Sequence, residues 1–575
     1  MTLVLAVVVA GMATIVAVAL AVRLHRESGR NAQRPAPSAD GASADENGML
    51  DALRGSGFTV QRGSFIFFTL DMCDAMPSCY AQNPETPYGL AMLPRHPREL
   101  AGEDADGSSN YTSWCAHGLC TEEGFSANWR VAPGEAVLLV GRSPPPVAYW
   151  SFTPYLFSRY NDAEFRAHPE SLGAALARCP AGPSRCEMFF GANDPLNLRT
   201  IRNPDANAVD APLAVLLTWD PETEVRVKSA LLGSAAFRPG GSYANDSLNV
   251  LRYPGALARL GVSPRGDEDD FMVVMRAAEF KSASATRAFY RTDAPFRAYR
   301  VTLPALDGEG GAPPPGFPSF ERALRPRATG VLEGDAPGGA SHAALSEGLR
   351  RLEAVVAGLQ RRRSAFVNEL PIGARARSFV RDSGYECLHQ GLQCQGDCRD
   401  TIYAVDRSLV VLGEACSRGA GAKLCPSLWR SAIGDYDVLV VVGVHHRVTR
   451  MSTYASVTLY SYPKLASVAT APDELLTGSA EALLPGHPAA PFLYAVQFAR
   501  DCDEFGLRAG AAEIRCVDID AARLPLGVST AVIERSYMHP VTHRGPAVNE
   551  TILPVVFHFA GAAPEDPSSS GGAAA

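Results

Sequence analysis

The chain lacks every strong local signature of nucleotide handling or hydrolysis. Its 575 residues contain no nucleophile elbow, P-loop, dinucleotide fingerprint or HExxH helix, and each of these is easy to find because the chemistry fixes its spacing. An excess of positive charge is missing as well: 53 Lys and Arg stand against 61 Asp and Glu, a net charge of -8. Such a balance does not favour a polyanion, so no nucleic-acid partner is expected. The one dense basic run, Arg361 to Arg363, closes a predicted helix, where it complements the helix dipole. Disordered composition is also absent, since 46% of the chain is hydrophobic and 20% charged. That is ordinary globular material for two to four domains.

A single long apolar run is present. Leu3 to Val22 is uncharged over twenty positions, enough for one helical crossing of about 30 Å of hydrocarbon. It reads as a signal-anchor, giving a single-pass membrane protein whose lipid partner meets residues 3–22. The alternative is secretion after signal cleavage, for which small-residue sites exist at Ala17-Val18-Ala19 and Ala19-Leu20-Ala21; against it, a basic n-region is missing. Arg23, Arg26, Arg30 and Arg34 would hold the following side cytoplasmic. Glycosylation acceptors at Asn110, Asn245 and Asn549 oppose that, and the cysteines oppose it more strongly.

Ten of the thirteen cysteines form close pairs: Cys73 with Cys79, Cys115 with Cys120, Cys179 with Cys186, Cys416 with Cys425, and Cys502 with Cys516. Local pairs among Gly, Pro, Ser and Asn read as loop disulfides of an oxidising compartment, lumenal or extracellular. Cys387, Cys394 and Cys398 remain, in GYECLHQGLQCQGDCRD. Their spacing fits no zinc knuckle, so two of the three are expected to pair and leave one thiol. His389 lies two residues from Cys387, but adjacency in sequence is not the geometry of an activated nucleophile.

The expected architecture is mixed α+β. After the apolar segment 1–22 and a polar tether over 23–50 come a disulfide-stapled β-rich region (51–206) and a β-α-β-β-α-β region (207–304). A Gly/Pro linker (305–340), a helix leading into a second stapled β-rich domain (341–563) and a disordered tail (564–575) complete the chain. The β-α-β-β-α-β order suits one ferredoxin-like sheet; its first helix has Asp220 as N-cap and Pro221 at the first position. A short helix is expected over 169–177. Two strand-turn-strand units, 136–159 and 437–460, align with Gly443 on Gly141 and Tyr454 on Phe152, which admits a distant tandem duplication.

Candidate chemistry is sparse. His445 and His446 end an apolar strand, and His539 and His543 follow another; four histidines at strand ends would suit a divalent metal if they converged. His446 is the preferred catalytic residue, with Tyr454 to orient it and His445 beside it. Arg142, at a strand exit, would offer a guanidinium to an anionic ligand. Asp267 to Asp270 reads as a solvated acidic turn. The expected function is an extracytoplasmic enzyme of hydrolase type with a strand-end site in the second half, or else a binding or structural ectodomain without chemistry.

Overall fold

The computed structural model describes residues 43–561 apart from 75–77, 97–123, 162–183, 203–209, 256–257, 263–267, 283–288, 291–294, 304–314, 318–327, 336–338, 363–365, 371–376, 379–395, 406–432, 504–513 and the positions 85, 87, 436 and 463. The expectations placed on 1–42, on the tail, on the helix over 169–177, and on Asn110, Cys115, Cys120, Cys179, Cys387, His389, Cys394, Cys416 and Cys425 lie outside the described residues. Among the described residues no helix is long and apolar enough to cross a membrane. That corrects the single-pass membrane placement, whose segment 3–22 falls outside them; the secreted alternative is compatible with this finding.

The described chain is mixed α+β and mostly sheet. Sheet 1 holds, in spatial order, β1 (Thr59–Arg62), β11 (Phe296–Thr302), β4 (Glu135–Arg142), β8 (Pro212–Thr218) and β9 (Leu248–Arg252). Sheet 2 holds β2 (Ser64–Phe68), β3 (Tyr88–Met92), β10 (Asp270–Phe280), β5 (Val147–Asn161) and β6 (Ser184–Gly191), with the short β7 (Leu196–Asn197) also on β5. Sheet 3 holds β12 (Phe366–Leu370), β21 (Val555–Gly561), β15 (Val438–Val444), β18 (Leu493–Ala499) and β19 (Arg515–Asp518). Sheet 4 holds β13 (Arg377–Ser378), β14 (Thr401–Val405), β20 (Ser529–Tyr537), β16 (Tyr454–Tyr462) and β17 (Ala466–Pro472). Neighbouring strands are antiparallel except β8 with β9 and β18 with β19.

Alternation along β4 shows how the layers form. Val137 and Leu139 point into a core shared with Phe152, Val273 and Met275 of sheet 2. Ala136, Leu138 and Val140 point to the other side, where helix α1 (Ala44–Gly55) brings Met49, Leu50 and Leu53 and helix α2 (Pro221–Gly233) brings Val227, Ala230 and Leu231. Both faces of the strand are covered, so its sequence is a continuous apolar run rather than an alternating one. Sheet 3 repeats the arrangement. Its inner face packs on sheet 4 through Leu439, Val441, Val457 and Val532, and its outer face carries Leu345, Leu349, Leu352 and Val356 of helix α3 (His342–Arg362). Glu347 and Arg351, one turn apart on that helix, pair at 2.9 Å. Sheets 2 and 4 then meet through their remaining faces, with Tyr149, Ala278, Tyr454 and Tyr537 in one cluster.

Several expectations change. The strands of 211–304 do not make one ferredoxin-like sheet: β8, β9 and β11 belong to sheet 1 and β10 to sheet 2. Each strand-turn-strand unit likewise splits, with β4 and β15 in the outer sheets and β5 and β16 in the inner ones. The tether ends earlier than expected, because Ser43 and Glu46 form a reciprocal capping box that starts α1. Asp269 and Asp270 are buried rather than solvated: Arg159 grips Asp269 with two hydrogen bonds of 2.6 Å, and Ser158 donates to Asp270.

Matched strand by strand, sheets 1 and 3 have the same order, as do sheets 2 and 4, and the parallel pair falls in the same place. The ungapped alignment fails at Tyr454. Phe152 faces the core between sheets 1 and 2, whereas Tyr454 and Tyr149 both face the contact between the halves.

Two disulfides are described, Cys73–Cys79 and Cys502–Cys516, and Cys398 is a free, buried thiol. The second ties the end of β18 to its parallel neighbour β19, a pairing that no tight turn can supply. Its 14-residue separation predicts that Cys502→Ser/Cys516→Ser loses about 3 kcal/mol, read as a lowered urea midpoint in the variant.

Candidate functional site

β15 runs through the core of the second half and delivers His445 and His446 where it leaves sheet 3. The turn that follows is hydrogen-bonded: the His445 carbonyl accepts from the Val448 and Thr449 amides, and the His446 carbonyl from the Met451 and Ser452 amides. Consecutive residues diverge, and the two imidazoles enter separate networks.

His446 is 2% exposed. Its Nδ1 lies 2.6 Å from Glu333 Oε1 and its Nε2 3.3 Å from Glu534 Oε2. Glu333 also accepts from the Thr449 hydroxyl at 2.6 Å and the Ile552 amide at 2.7 Å. Glu534 also accepts from the Tyr494 hydroxyl at 2.7 Å. The Tyr494 ring reaches it by lying over Gly443, its cross-strand partner, where an added Cβ would sit 2.6 Å from the phenol oxygen. Burial opposes a charge on His446, but the two carboxylates outweigh it and raise its pKa well above the ordinary value. Burial, then Glu534, raises the Tyr494 phenol in the same way. The ring is an imidazolium held from both sides, with neither nitrogen left to act as a base.

His445 turns instead to Asp473, with Nε2 3.0 Å from Oδ1. The same carboxylate accepts from the Ala455 amide and from Arg447, whose guanidinium also reaches Glu279 Oε1 at 2.6 Å. Glu279 belongs to the first half, so this chain of charges ties β10 to the turn after β15. Burial, then the nearby Asp473, raises its pKa.

The other expected site residues are dispersed. Tyr454 packs on Tyr537, 5.4 Å between ring centroids, in the contact between the halves; the groups orienting His446 are the two glutamates. Arg142 is exposed and pairs with Asp210 at 3.3 Å. His539 accepts at Nδ1 from the Val541 amide at 3.1 Å, and His543 adopts a left-handed backbone (φ 58) and accepts at its carbonyl from Asn197. Among the described residues no group of three or more His, Cys, Asp or Glu is placed to hold a metal ion. Asn245 and Asn549 are exposed.

A dense polar network lies between the halves, and the sequence reading missed it. Arg276 of β10, 1% exposed, donates to Cys398 Sγ at 2.7 Å and to the Tyr155 hydroxyl. Cys398 also lies 3.2 Å from Asp400 Oδ1 and Thr401 Oγ1. Asp400 accepts from the Tyr149 hydroxyl through its other oxygen. Burial pushes the Cys398 thiol up to about 11 despite the guanidinium beside it, so it stays protonated and unreactive. The available signal was a lone arginine inside each of two apolar strands, FMVVMRAAEF and VSTAVIERSYM. A fully buried arginine needs partners from another layer.

No family model matches the chain, and no curated protein matches it. Among solved structures it is similar to an uncharacterised protein from Burkholderia cenocepacia, at 12% identity over 93% of this chain and 94% of that one, with a TM-score of 0.28. A protein from Vibrio parahaemolyticus is similar at 10% identity over 89% of this chain and 100% of that one, with a TM-score of 0.27. Scores this low carry no argument about fold or function.

Proposed function

We propose that this chain acts by binding rather than by catalysis, as an extracytoplasmic body made of two like units in tandem. The observation that carries the reading is the state of His446. The residue best placed for strand-end catalysis is buried, charged and engaged at both nitrogens by carboxylates, which is the environment of a structural ion pair. The disulfides Cys73–Cys79 and Cys502–Cys516 support an oxidising compartment. The shared strand order of the two sheet pairs supports the tandem units.

A panel of ester, peptide, phosphoester and glycoside substrates tests it. The purified chain is expected to turn over none of them faster than a His445→Asn/His446→Asn variant does. Turnover by the wild type that this variant loses, while its circular dichroism stays native, would establish the hydrolase reading instead.

A further inference from the structure

We infer that the contact between the halves is isologous: each half presents the same surface, and the partner that surface fits is a second copy of the same unit. The inference rests on the tandem-unit reading above and adds how the units recognise one another.

Arg276 and Arg535, both buried, occupy equivalent places. Arg276 on β10 is the cross-strand partner of Tyr88 on β3 and of Ser151 on β5. Arg535 on β20 is the cross-strand partner of Tyr403 on β14 and of Ser456 on β16. Each guanidinium lies over two tyrosine rings: Arg276 is 5.1 Å from Tyr88 and 5.6 Å from Tyr155, and Arg535 is 5.4 Å from Tyr403 and 5.0 Å from Tyr460. Tyr155 and Tyr460 each stand four positions after the serine of their own strand. Each arginine also donates to the hydroxyl of that tyrosine.

The exchange across the contact is reciprocal. Arg276 and the Tyr155 hydroxyl of the first half donate to the Gly396 carbonyl of the second, at 3.4 and 3.0 Å. Arg535 and the Tyr460 hydroxyl of the second half donate to the Ala81 and Gln82 carbonyls of the first, at 2.5 and 3.2 Å. Gly396 stands seven residues before Tyr403 and Ala81 seven before Tyr88, and both are left-handed, with φ of 75 and 52. Three residues after each arginine the backbone is left-handed again, at Glu279 (φ 53) and Met538 (φ 48). Non-glycine residues adopt that conformation rarely, so its recurrence at matched positions is an independent sign of equivalence. Contact of i with j matched by contact of j with i is what a two-fold interface requires. Its composition, tyrosine and arginine on both sides, is that of an interface between proteins more than of a domain core.

The match is not complete: Tyr155 reaches the carbonyl of Gly396 itself, whereas Tyr460 reaches Gln82, one residue past Ala81. Five residues before the bracket tyrosine the second half has Cys398, bound by Arg276, where the first half has Asn83, bonded to Ser456 at 3.2 Å. The native thiol is held by Arg276 directly and meets the other bracket through Tyr403, whose hydroxyl lies 3.4 Å from Sγ and whose ring Arg535 covers.

Isologous brackets form and break together. In the full-length chain, alkylation of Cys398 by N-ethylmaleimide under native conditions, followed by mass spectrometry of its peptide, should be very slow. Arg276→Met is expected to speed it roughly ten- to hundredfold, the consequence of losing a buried charged donor. Arg535→Met should speed it to a similar degree, and so should Tyr460→Phe, which removes only the hydroxyl bonded to Gln82 and so separates a shared contact from a local effect passed through Tyr403. Should either arginine variant lose its native circular dichroism, Tyr155→Phe and Tyr460→Phe make the same comparison with one hydroxyl removed on each side. Acceleration from the Arg276 side alone, or from neither side, overturns the inference and leaves the binding proposal standing. Enzymatic turnover would sink that proposal without touching this result.

Discussion

Val273→Asp is expected to leave no folded first half. Val273 sits in the middle of β10 with its side chain 1% exposed, in the core that sheets 1 and 2 share with Val215 and Leu217. A carboxylate there would be buried among the apolar side chains of that core, and burying an unpaired charge costs several kcal/mol, on the order of a domain's whole stability of about 5–15 kcal/mol. Val215→Asp and Leu217→Asp, on the facing strand β8, should do the same. The readout is native circular dichroism together with Cys398 alkylation, which should become immediate because β10 also carries Arg276. Soluble, folded protein from all three variants would mean that these strands do not enclose a core.

His446→Ala is the second large effect. Removing the imidazolium leaves Glu333 and Glu534 buried without their shared cation, and breaking a buried pair by deleting one partner costs about 3–5 kcal/mol. The loss has a signature in pH. The folded pKa of His446 is raised above the unfolded value near 6.5. The stabilisation is therefore fully present below that unfolded value and is lost as pH rises through the folded one. The gap in denaturation midpoint between wild type and His446→Ala should be widest below about pH 6.5 and should narrow as the solution is made alkaline. A gap that widens in alkali would show that the ring is held neutral, and with it the case against a catalytic base would fail.

Both effects depend on contacts of very different legibility. The strand that carries Val273 was plain in the sequence, because a continuous apolar run bounded by turn residues has few other readings. The helix over Pro221–Gly233 was plain for a local reason too: the Asp220 side chain caps it, accepting from the Thr223 amide at 2.8 Å. The capping box at Ser43 and Glu46 was equally local and would have set the true end of the tether. His446 was legible as a conspicuous residue and illegible in its role. One of its partners lies 113 positions upstream, in a segment whose composition reads as linker, and the other 88 downstream, inside a strand.

The sequence by itself determined most of the elements, the apolar faces and the local pairing of Cys73 with Cys79 and Cys502 with Cys516, since each depends on residues a few positions apart. Only the tertiary structure decided which sheet each strand joins, that two lone arginines bracket one contact, and that the best catalytic candidate is a buried cation. The reason is that periodicity specifies which side of a strand is covered but not by what. When both sides of β4, β10, β15 and β20 are covered, the identity of each neighbour is fixed only by packing between residues hundreds of positions apart.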